Sequence, residues 1–241
     1  MTRSAAQRTR RVVVRAVRDE APEVRTFRLA VPESPRLDFM PGQHMRIRFP
    51  GEEDWRDYSI SSPPPARGDF EITLRQAGRF TRRLFELRPG DALTAEGPRG
   101  EWHYRDEGRP VVLACGGTGL APFRSMVAYL LERGLPHPVS VFYSARTPSD
   151  ILFRDELAAY PGRGVPVLTT ITRPQEMPPG STWNGRIGRL TAALIAETAP
   201  RFQESTFYLC GPSQLVGSLR EALAARGVPE RQVRFEAWGA L

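Results

Sequence analysis

The chain has 241 residues, of which 40% are hydrophobic and 25% charged, so it can bury an ordinary core as one large domain or two small ones. No apolar run approaches the roughly 20 residues that a membrane-spanning helix needs, and residues 1–11 have no apolar stretch that could serve as a signal peptide. A soluble, cytoplasmic protein is therefore expected. The two cysteines, Cys115 and Cys210, cannot supply the four ligands of an iron–sulfur cluster or a structural zinc site.

The formal net charge is +7, and all 34 basic residues are arginine. A positive surface can steer an acidic protein partner over a long range. An arginine-biased composition explains the same excess without any partner. A third interpretation is a nucleic-acid binder, in which basic patches with aromatic neighbours are expected. Because the acidic residues of this chain are interspersed among the basic ones, the sequence does not favour that interpretation.

The first hundred residues consist mainly of short runs that are typical of strands. Several runs alternate apolar and polar residues, and the turns Pro41-Gly42 and Pro89-Gly90 punctuate them. The runs span residues 12–17, 24–31, 44–49, 57–61, 70–75 and 92–96, with one short helical face at residues 80–87. This pattern predicts a six-stranded antiparallel β-barrel, with a proline-rich loop at Pro63-Pro64-Pro65.

After about residue 108, buried apolar runs alternate with helical stripes. The predicted strands span residues 110–114, 139–143, 165–171 and 207–210, and the predicted helices span residues 122–133, 151–160 and 213–226. Strands and helices that alternate in this way predict a doubly wound α/β domain, in which a parallel sheet is covered on both faces. We therefore expect two domains, residues 1–106 and 107–241, joined near residues 104–109.

Two segments of the predicted barrel carry groups that point to ligand binding. In Arg56-Asp57-Tyr58-Ser59, a fixed cation, an aromatic ring and a hydroxyl follow one another along an extended run. In Gly78-Arg79-Phe80-Thr81, a helix begins, and its unpaired amides and the hydroxyl suit an anionic phosphate. Each segment also has a simpler interpretation, because Arg56 can be a surface charge beside a packed Tyr58, and Thr81 can be a helix cap.

A glycine-rich loop follows the first strand of the α/β half. Its sequence is Cys115-Gly116-Gly117-Thr118-Gly119-Leu120-Ala121-Pro122. Glycines let the backbone approach a pyrophosphate, and the helix that follows supplies amides and a favourable dipole. The spacing is not Gly-x-Gly-x-x-Gly, but the position between an apolar strand and an amphipathic helix indicates a dinucleotide-binding loop.

These segments together resemble the ferredoxin-NADP reductase superfamily. The resemblance runs from about Arg11 to Trp238 and includes the Arg-x-Tyr-Ser and Gly-x-x-Ser/Thr flavin motifs, the glycine-rich loop, a Cys-Gly-Pro segment and a terminal Glu-x-aromatic. It implies a bound flavin, FAD in preference to FMN, and no fused iron–sulfur domain. The flavin contacts that it implies are Arg56, Tyr58, Ser59, Gly78, Phe80 and Thr81.

The same resemblance implies a site for a nicotinamide nucleotide. Its contacts are Gly116, Gly117, Thr118, Gly119, Pro122, Cys210, Gly211 and Pro212. The choice of nucleotide depends on what meets the adenosine ribose, because an arginine or a hydroxyl accommodates a 2′-phosphate and an acid favours NADH. Ser144 and Arg146, with Arg173 as a helper, favour NADPH, whereas Asp150 leaves NADH open.

By resemblance, four residues act at the reacting centre. Ser59 lies near flavin N5, Cys210 lies beside the reactive nicotinamide carbon, and Glu236 and Trp238 order and cover the site. The alternatives are a buried structural cysteine and a Trp238 that packs in the core. The three histidines show no metal-ligand spacing, so no metal site is expected.

The resemblance implies that hydride passes from NADPH to FAD and that electrons then pass singly to an acceptor. Because the chain lacks the cysteines of a plant-type ferredoxin domain, we expect a separate acceptor. Ferredoxin, a flavodoxin, an oxygenase component and free flavin each fit this role, and the positive charge favours an acidic protein. The alternative is a flavin-bearing electron-transfer subunit of a larger redox complex that uses nucleotide poorly.

Overall fold

The computed structural model describes residues 9–33, 36–64 and 68–238. The chain divides into two compact units, one formed by Met1–Tyr104 with Ala121–Tyr129 and the other by Arg105–Leu120 with Leu130–Leu241. Residues 1–8, which precede the predicted barrel, and Pro65 of the predicted proline-rich loop lie outside the described residues. Among the helices within these ranges, none is both long and apolar enough to cross a bilayer.

A six-stranded antiparallel sheet forms the first unit, as the alternating runs predict. Its spatial order is β4-β3-β6-β1-β2-β5, with strands β1 (Arg10–Ala21), β2 (Val24–Ala30), β3 (His44–Arg48), β4 (Arg56–Ser59), β5 (Asp69–Arg75) and β6 (Ala92–Arg99). An antiparallel bridge between Ile60 and Ile72 joins the two ends of this order and closes the sheet. β4 thus ends at Ser59 instead of residue 61, because Ile60 pairs with β5.

Alternation along the strands builds the interior of the first unit. In β3, Met45 and Ile47 are fully buried, whereas the residues on either side of them are half-buried. Helix α1 (Gly78–Glu86) adds Phe80 and Leu84 to the same core and begins two residues before the predicted start. The core therefore holds the first turn of α1 beside the strands that carry the flavin motif.

The second unit is built on six parallel strands, in agreement with the predicted doubly wound fold. Their order is β10-β9-β8-β7-β11-β12, with β7 (Val111–Gly116), β8 (Val139–Ala145), β9 (Val167–Ile171), β10 (Arg186–Ile187), β11 (Thr206–Pro212) and β12 (Val233–Trp238). The helices that follow β7 along the chain are α2 (Leu120–Glu132), α3 (Arg154–Ala159), α4 (Ala192–Thr198) and α5 (Ser213–Ala225), and most of α2, Ala121–Tyr129, belongs to the first unit. β7 is buried at every position, so both of its faces are covered. The elements that the sequence did not predict are β10, α4 and β12.

The order of the strands reverses at β7. The strand that follows it in sequence, β8, lies on one side of it, whereas β11 lies on the other. In parallel sheets of this kind, ligands bind beyond the carboxyl ends of the strands at such a reversal. Here these ends are Gly116 and Pro212, so the topology brings the glycine-rich loop and the Cys-Gly-Pro segment to one point.

Candidate functional site

Arg56, Tyr58 and Phe80 form one cluster in the first unit. The ring centroids of Tyr58 and Phe80 lie 6.4 Å apart, and Arg56 Cζ lies 5.5 Å from the centroid of the Phe80 ring. Tyr58 is half-buried against the core, and this burial raises the pKa of its phenol, so the ring stays neutral. The structure thus brings Phe80 to Arg56 and Tyr58, from which the sequence separates it by more than 20 residues.

The guanidinium of Arg56 keeps donors available. Its Nη1 donates to the carboxylate of Asp54 and, over 2.9 Å, to the carbonyl oxygen of Trp55. In the part of the chain that the structure describes, Nε and Nη2 have no such partner, and half of the side chain is exposed. These donors fit a phosphate. Ser59, the residue directly after Tyr58, is half-buried and pairs with His44 in the register of β3 and β4.

Thr81 is engaged within its own helix. Its hydroxyl accepts a hydrogen bond from the Ala77 amide over 2.6 Å and donates to the Ala77 carbonyl oxygen over 2.7 Å. Thr81 lies inside α1 and is not its N-cap residue, which is Ala77, but its hydroxyl pairs the Ala77 amide that the helix start would otherwise leave unpaired. Gly78 adopts a left-handed φ of 81°, and a side chain added there would meet open space. The start of α1 therefore offers backbone amides and open volume, whereas the threonine hydroxyl is already occupied.

In the second unit, the two glycine segments pack backbone against backbone. A Cβ added at Gly119 would lie 2.3 Å from the carbonyl oxygen of Cys210, and one added at Gly211 would lie 3.1 Å from the Gly116 amide nitrogen. The sequence predicted that the glycines allow approach to a pyrophosphate. For Gly119 and Gly211, the nearer reason is the contact between the loop after β7 and the end of β11, which has no room for side chains.

Gly117 is the glycine of this loop that faces open space. Its φ is 55°, and a Cβ there would have no neighbour within 4 Å. Thr118 follows it, half-buried, and Pro122 occupies the first turn of α2, where a missing amide hydrogen costs no helical bond. An open, left-handed backbone that leads into a long helix fits a pyrophosphate.

The loops after β8 and β9 bring two of the predicted arginines side by side. The Arg173 amide donates to the Arg146 carbonyl oxygen over 2.8 Å, and both side chains are exposed. Asp150, which left NADH open, accepts hydrogen bonds from the Thr147 amide over 3.1 Å and from the Thr147 hydroxyl over 2.8 Å. This capping box engages the carboxylate that would otherwise be available to the ribose of NADH.

Two residues that the sequence did not predict, Thr170 and Arg186, lie in one row with the predicted Ser144. Ser144 Oγ accepts a hydrogen bond from Thr170 Oγ1 over 3.3 Å, and Arg186 pairs with Thr170 in the register of β9 and β10. Paired residues of parallel strands share one face of the sheet, so Arg186 extends the row that begins at Ser144. Arg186 escaped prediction because a two-residue strand has no detectable period.

The pairing of β11 with β12 brings together four of the predicted residues. Cys210 pairs with Glu236, and Pro212 pairs with Trp238, whose carbonyl oxygen accepts a hydrogen bond from the Ser213 hydroxyl over 3.2 Å. The alternative that Trp238 packs in the core is wrong, because 41% of its surface is exposed. Burial, followed by the charges of Glu236 and of Cys115, raises the pKa of Cys210 well above its ordinary value.

Both thiols are expected to be unreactive in the folded protein. Cys115 and Cys210 are each 0% exposed, and burial raises both pKa values, so the reactive thiolate is scarce. A chromogenic disulfide reagent at mildly alkaline pH should titrate almost no thiol in the native protein and both thiols after unfolding in guanidinium. Fast labelling of one thiol in the native protein would contradict this burial.

Two protein-family models match the chain. Residues 11–104 match the oxidoreductase FAD-binding domain, and residues 113–221 match the oxidoreductase NAD-binding domain. The gamma subunit of sulfhydrogenase 1 from Pyrococcus furiosus is 31% identical over 83% of this chain and 69% of its own length. The chain belongs to the FAD- and NAD-binding oxidoreductase family. The predicted superfamily, its two-domain fold and its two cofactor classes are thereby confirmed.

Other relatives of this oxidoreductase are reductases by name. The reductase component of propane 2-monooxygenase from Rhodococcus jostii is 29% identical over 89% of this chain and 59% of its own length. The ferredoxin reductase in carbazole 1,9a-dioxygenase, a solved structure, superimposes with a TM-score of 0.84 at 26% identity over 96% of this chain and 70% of that chain. The oxidoreductase spans between 58% and 69% of the length of eight such curated relatives.

Proposed function

We propose that this oxidoreductase takes electrons from NADPH through FAD and delivers them to a separate protein acceptor, of the class of oxygenase components. The supporting observation is that one chain holds a cation–aromatic cluster beside a helix start and an open phosphate loop at a sheet reversal. The names of two relatives, a monooxygenase reductase component and a dioxygenase ferredoxin reductase, support the acceptor class.

The residues of the first unit bind and orient the flavin. Arg56 neutralises the pyrophosphate with its Nε and Nη2 donors, and the amides at the start of α1, beside Gly78 and Phe80, share this task. Tyr58 presents a neutral ring to the flavin, and Ser59 donates a hydrogen bond near its reactive nitrogen. Thr81 acts at this site by holding the first turn of α1 and not by a direct hydroxyl contact.

The residues of the second unit bind the nucleotide. Gly117 and Thr118 give the pyrophosphate its backbone donors, and the loop is fixed because Gly119 packs on Cys210. The cations for the 2′-phosphate of NADPH would come from three arginines, Arg146, Arg173 and Arg186, of which Arg173 also forms an ion pair with Glu176 over 3.0 Å. Ser144 adds a hydroxyl donor, since its oxygen already accepts the hydrogen of Thr170.

The nicotinamide end is held by the ends of β11 and β12. Cys210 presents a neutral thiol, because its raised pKa keeps the proton on sulfur, so it shapes the site without attacking the ring. Trp238 is exposed and can cover a planar ligand, while Glu236 orders the strand end beside Cys210. When bound, FAD supplies the conversion between hydride transfer and single-electron transfer, and the protein supplies alignment.

Replacing Arg146 with alanine is expected to separate the two nucleotides. The change removes one cation from the 2′-phosphate site, so the KM for NADPH should rise about tenfold while the KM for NADH changes less than about twofold. Steady-state reduction of an artificial acceptor at several nucleotide concentrations measures both constants. Arg163→Ala, which removes an exposed arginine from the turn that precedes β9, is the control. Equal effects on both nucleotides would reject the assignment of Arg146.

The experiment that tests the function is an anaerobic titration of the purified protein with NADPH and, in parallel, with NADH. We expect a flavin absorption band that bleaches at a much lower concentration of NADPH than of NADH. A preference for NADH would be consistent with a reductase but would reject the assignment of Arg146, Arg173 and Arg186 to the 2′-phosphate. A flavin band that neither nucleotide bleaches would instead support a flavin-bearing electron-transfer subunit of a larger complex. The sulfhydrogenase relative is named as a subunit, which agrees with that alternative.

A further inference from the structure

Ser61 lies two residues after Ser59, and its amide, its carbonyl oxygen and its hydroxyl oxygen each take part in a hydrogen bond. Its amide donates to the Glu71 carbonyl oxygen over 2.8 Å, and its own carbonyl oxygen accepts from Arg124 Nη1 over 3.3 Å. Its hydroxyl accepts from Thr73 Oγ1 over 3.0 Å, and the residue is 0% exposed. Side chain and backbone are therefore both fixed at this point of the chain.

Glu71 is bonded to the segment Ser61–Ser62 and to Arg124 through three of its groups. Its carbonyl oxygen accepts a hydrogen bond from the Ser61 amide, and its own amide donates to Ser62 Oγ over 3.0 Å. Its carboxylate lies 2.5 Å from Arg124 Nη1, the nitrogen that also donates to Ser61. The side chains of Arg124 and Glu71 are only 13% and 17% exposed, so the ion pair is largely withdrawn from water.

A chain of hydrogen-bonded hydroxyl groups within the sheet also ends at Ser61. Thr26 Oγ1 and Thr73 Oγ1 lie 2.8 Å apart. Because the Thr73 hydroxyl donates its one hydrogen to Ser61 Oγ, Thr26 is the donor in this pair. Both threonines are buried. The hydrogen bonds thus run from β2 through β5 to Ser61, next to the Ile60 bridge that closes the sheet.

The burial of the Glu71–Arg124 pair has little value for stability alone. Removing a carboxylate and a guanidinium from water costs free energy that their attraction only partly returns, and apolar residues of similar volume fill such a position as well or better. What apolar residues cannot do is donate to the carbonyl oxygen of Ser61. The pair therefore contributes geometry, because it sets the path of the backbone just after the flavin motif.

We propose that Arg124 and Glu71 are positioning residues for the flavin. They hold Ser61, and through it they hold Ser59 and Tyr58 at the distance from the flavin ring that its binding and its reduction potential require. This inference rests on the proposed function, because it takes Tyr58 and Ser59 as flavin contacts. It adds two residues that make no contact with the flavin themselves.

The test compares Arg124→Gln and Glu71→Gln with a matched control, Arg25→Gln. Like Arg124, Arg25 donates to one carboxylate and to one backbone carbonyl oxygen. Its acceptors are Asp19 and Phe85, each at 2.7 Å, and neither belongs to the segment Ser59–Ser62. Three quantities are measured for each variant. They are the dissociation constant of FAD from the apoprotein, the flavin midpoint potential by dye equilibration, and thermal unfolding of the apoprotein.

We expect Arg124→Gln to raise the FAD dissociation constant about tenfold and to shift the midpoint potential, with Glu71→Gln changing both in the same direction. Arg25→Gln should lose comparable thermal stability and leave both flavin quantities near those of the wild type. Arg124→Lys, which keeps one charged donor, should recover part of the affinity. Glu71→Gln decides the matter if Arg124→Gln does not fold.

Two results would overturn the inference in different ways. Flavin quantities that change equally in Arg124→Gln and Arg25→Gln, or in neither, would reject the positioning role while the wild-type protein still binds FAD and supports the proposed function. A wild-type protein that binds no FAD would reject the proposed function and the positioning role together.

Discussion

Replacing Gly119 with alanine is expected to destabilise the second unit by about 3 kcal/mol and to abolish nucleotide binding. The added methyl carbon would lie 2.3 Å from the carbonyl oxygen of Cys210 and 2.7 Å from its carbonyl carbon. Both atoms belong to the backbone of a buried strand, so no side chain can swing aside to relieve the overlap. The glycine-rich loop and β11 must move apart, and the phosphate site moves with them.

Chemical unfolding measures the stability of this variant, and calorimetric titration with NADP⁺ measures its binding. Gly217→Ala is the control, because Gly217 lies within helix α5 and a Cβ there has no neighbour within 4 Å. This control should be neutral or should gain up to about 1 kcal/mol, since alanine is the better helix former. Wild-type unfolding and wild-type affinity in Gly119→Ala would show that the two segments do not pack as described.

Replacing Arg56 with alanine is expected to release the flavin. The change removes the charged donors that are free to meet the pyrophosphate, and a charge-assisted contact of this kind corresponds to a rise of roughly 10- to 100-fold in the FAD dissociation constant. Folding should be little affected, because the ion pair with Asp54 is half-exposed and exposed pairs stabilise proteins weakly. The variant should therefore purify as a folded protein with a much weaker yellow colour.

Flavin content per protein, from the ratio of visible to ultraviolet absorbance after gel filtration, measures this loss. Arg15→Ala is the matched control, because Arg15 is an exposed arginine of β1 and lies outside the flavin motifs. It should retain a wild-type flavin content. Retention of flavin by Arg56→Ala at the level of this control would remove Arg56 from the site.

The fold was largely predictable where the pattern is local. Strands such as β3 alternate buried and half-buried residues, and β7 is one continuous apolar run, so composition and period are sufficient to predict them. β12 was missed although Val233, Arg234, Phe235 and Glu236 alternate between apolar and polar, and none of its residues is fully buried in the structure. Its place is set by pairing with β11, which is a tertiary contact.

The site was predictable in its residue types and less so in its physics. That Arg56 and Tyr58 share a neighbour follows from alternation within one strand, but the neighbour itself, Phe80, comes from the fold. The role of Gly119 could not be deduced, because the atoms that forbid a side chain there are 91 positions away, at Cys210. By contrast, the cap that engages Asp150 was readable, since the motif Thr-x-x-acid at the start of a helix is a local signal.

The burial of both cysteines has a practical consequence for chemical labelling. The chain contains no lysine, so an amine-directed reagent finds only the terminal amino group, and a thiol-directed reagent finds neither Cys115 nor Cys210 while the protein is folded. One cysteine introduced on the surface would then be the sole attachment point for a fluorophore, a spin label or an electrode. An electrode could therefore be attached at a chosen position without first removing any native side chain.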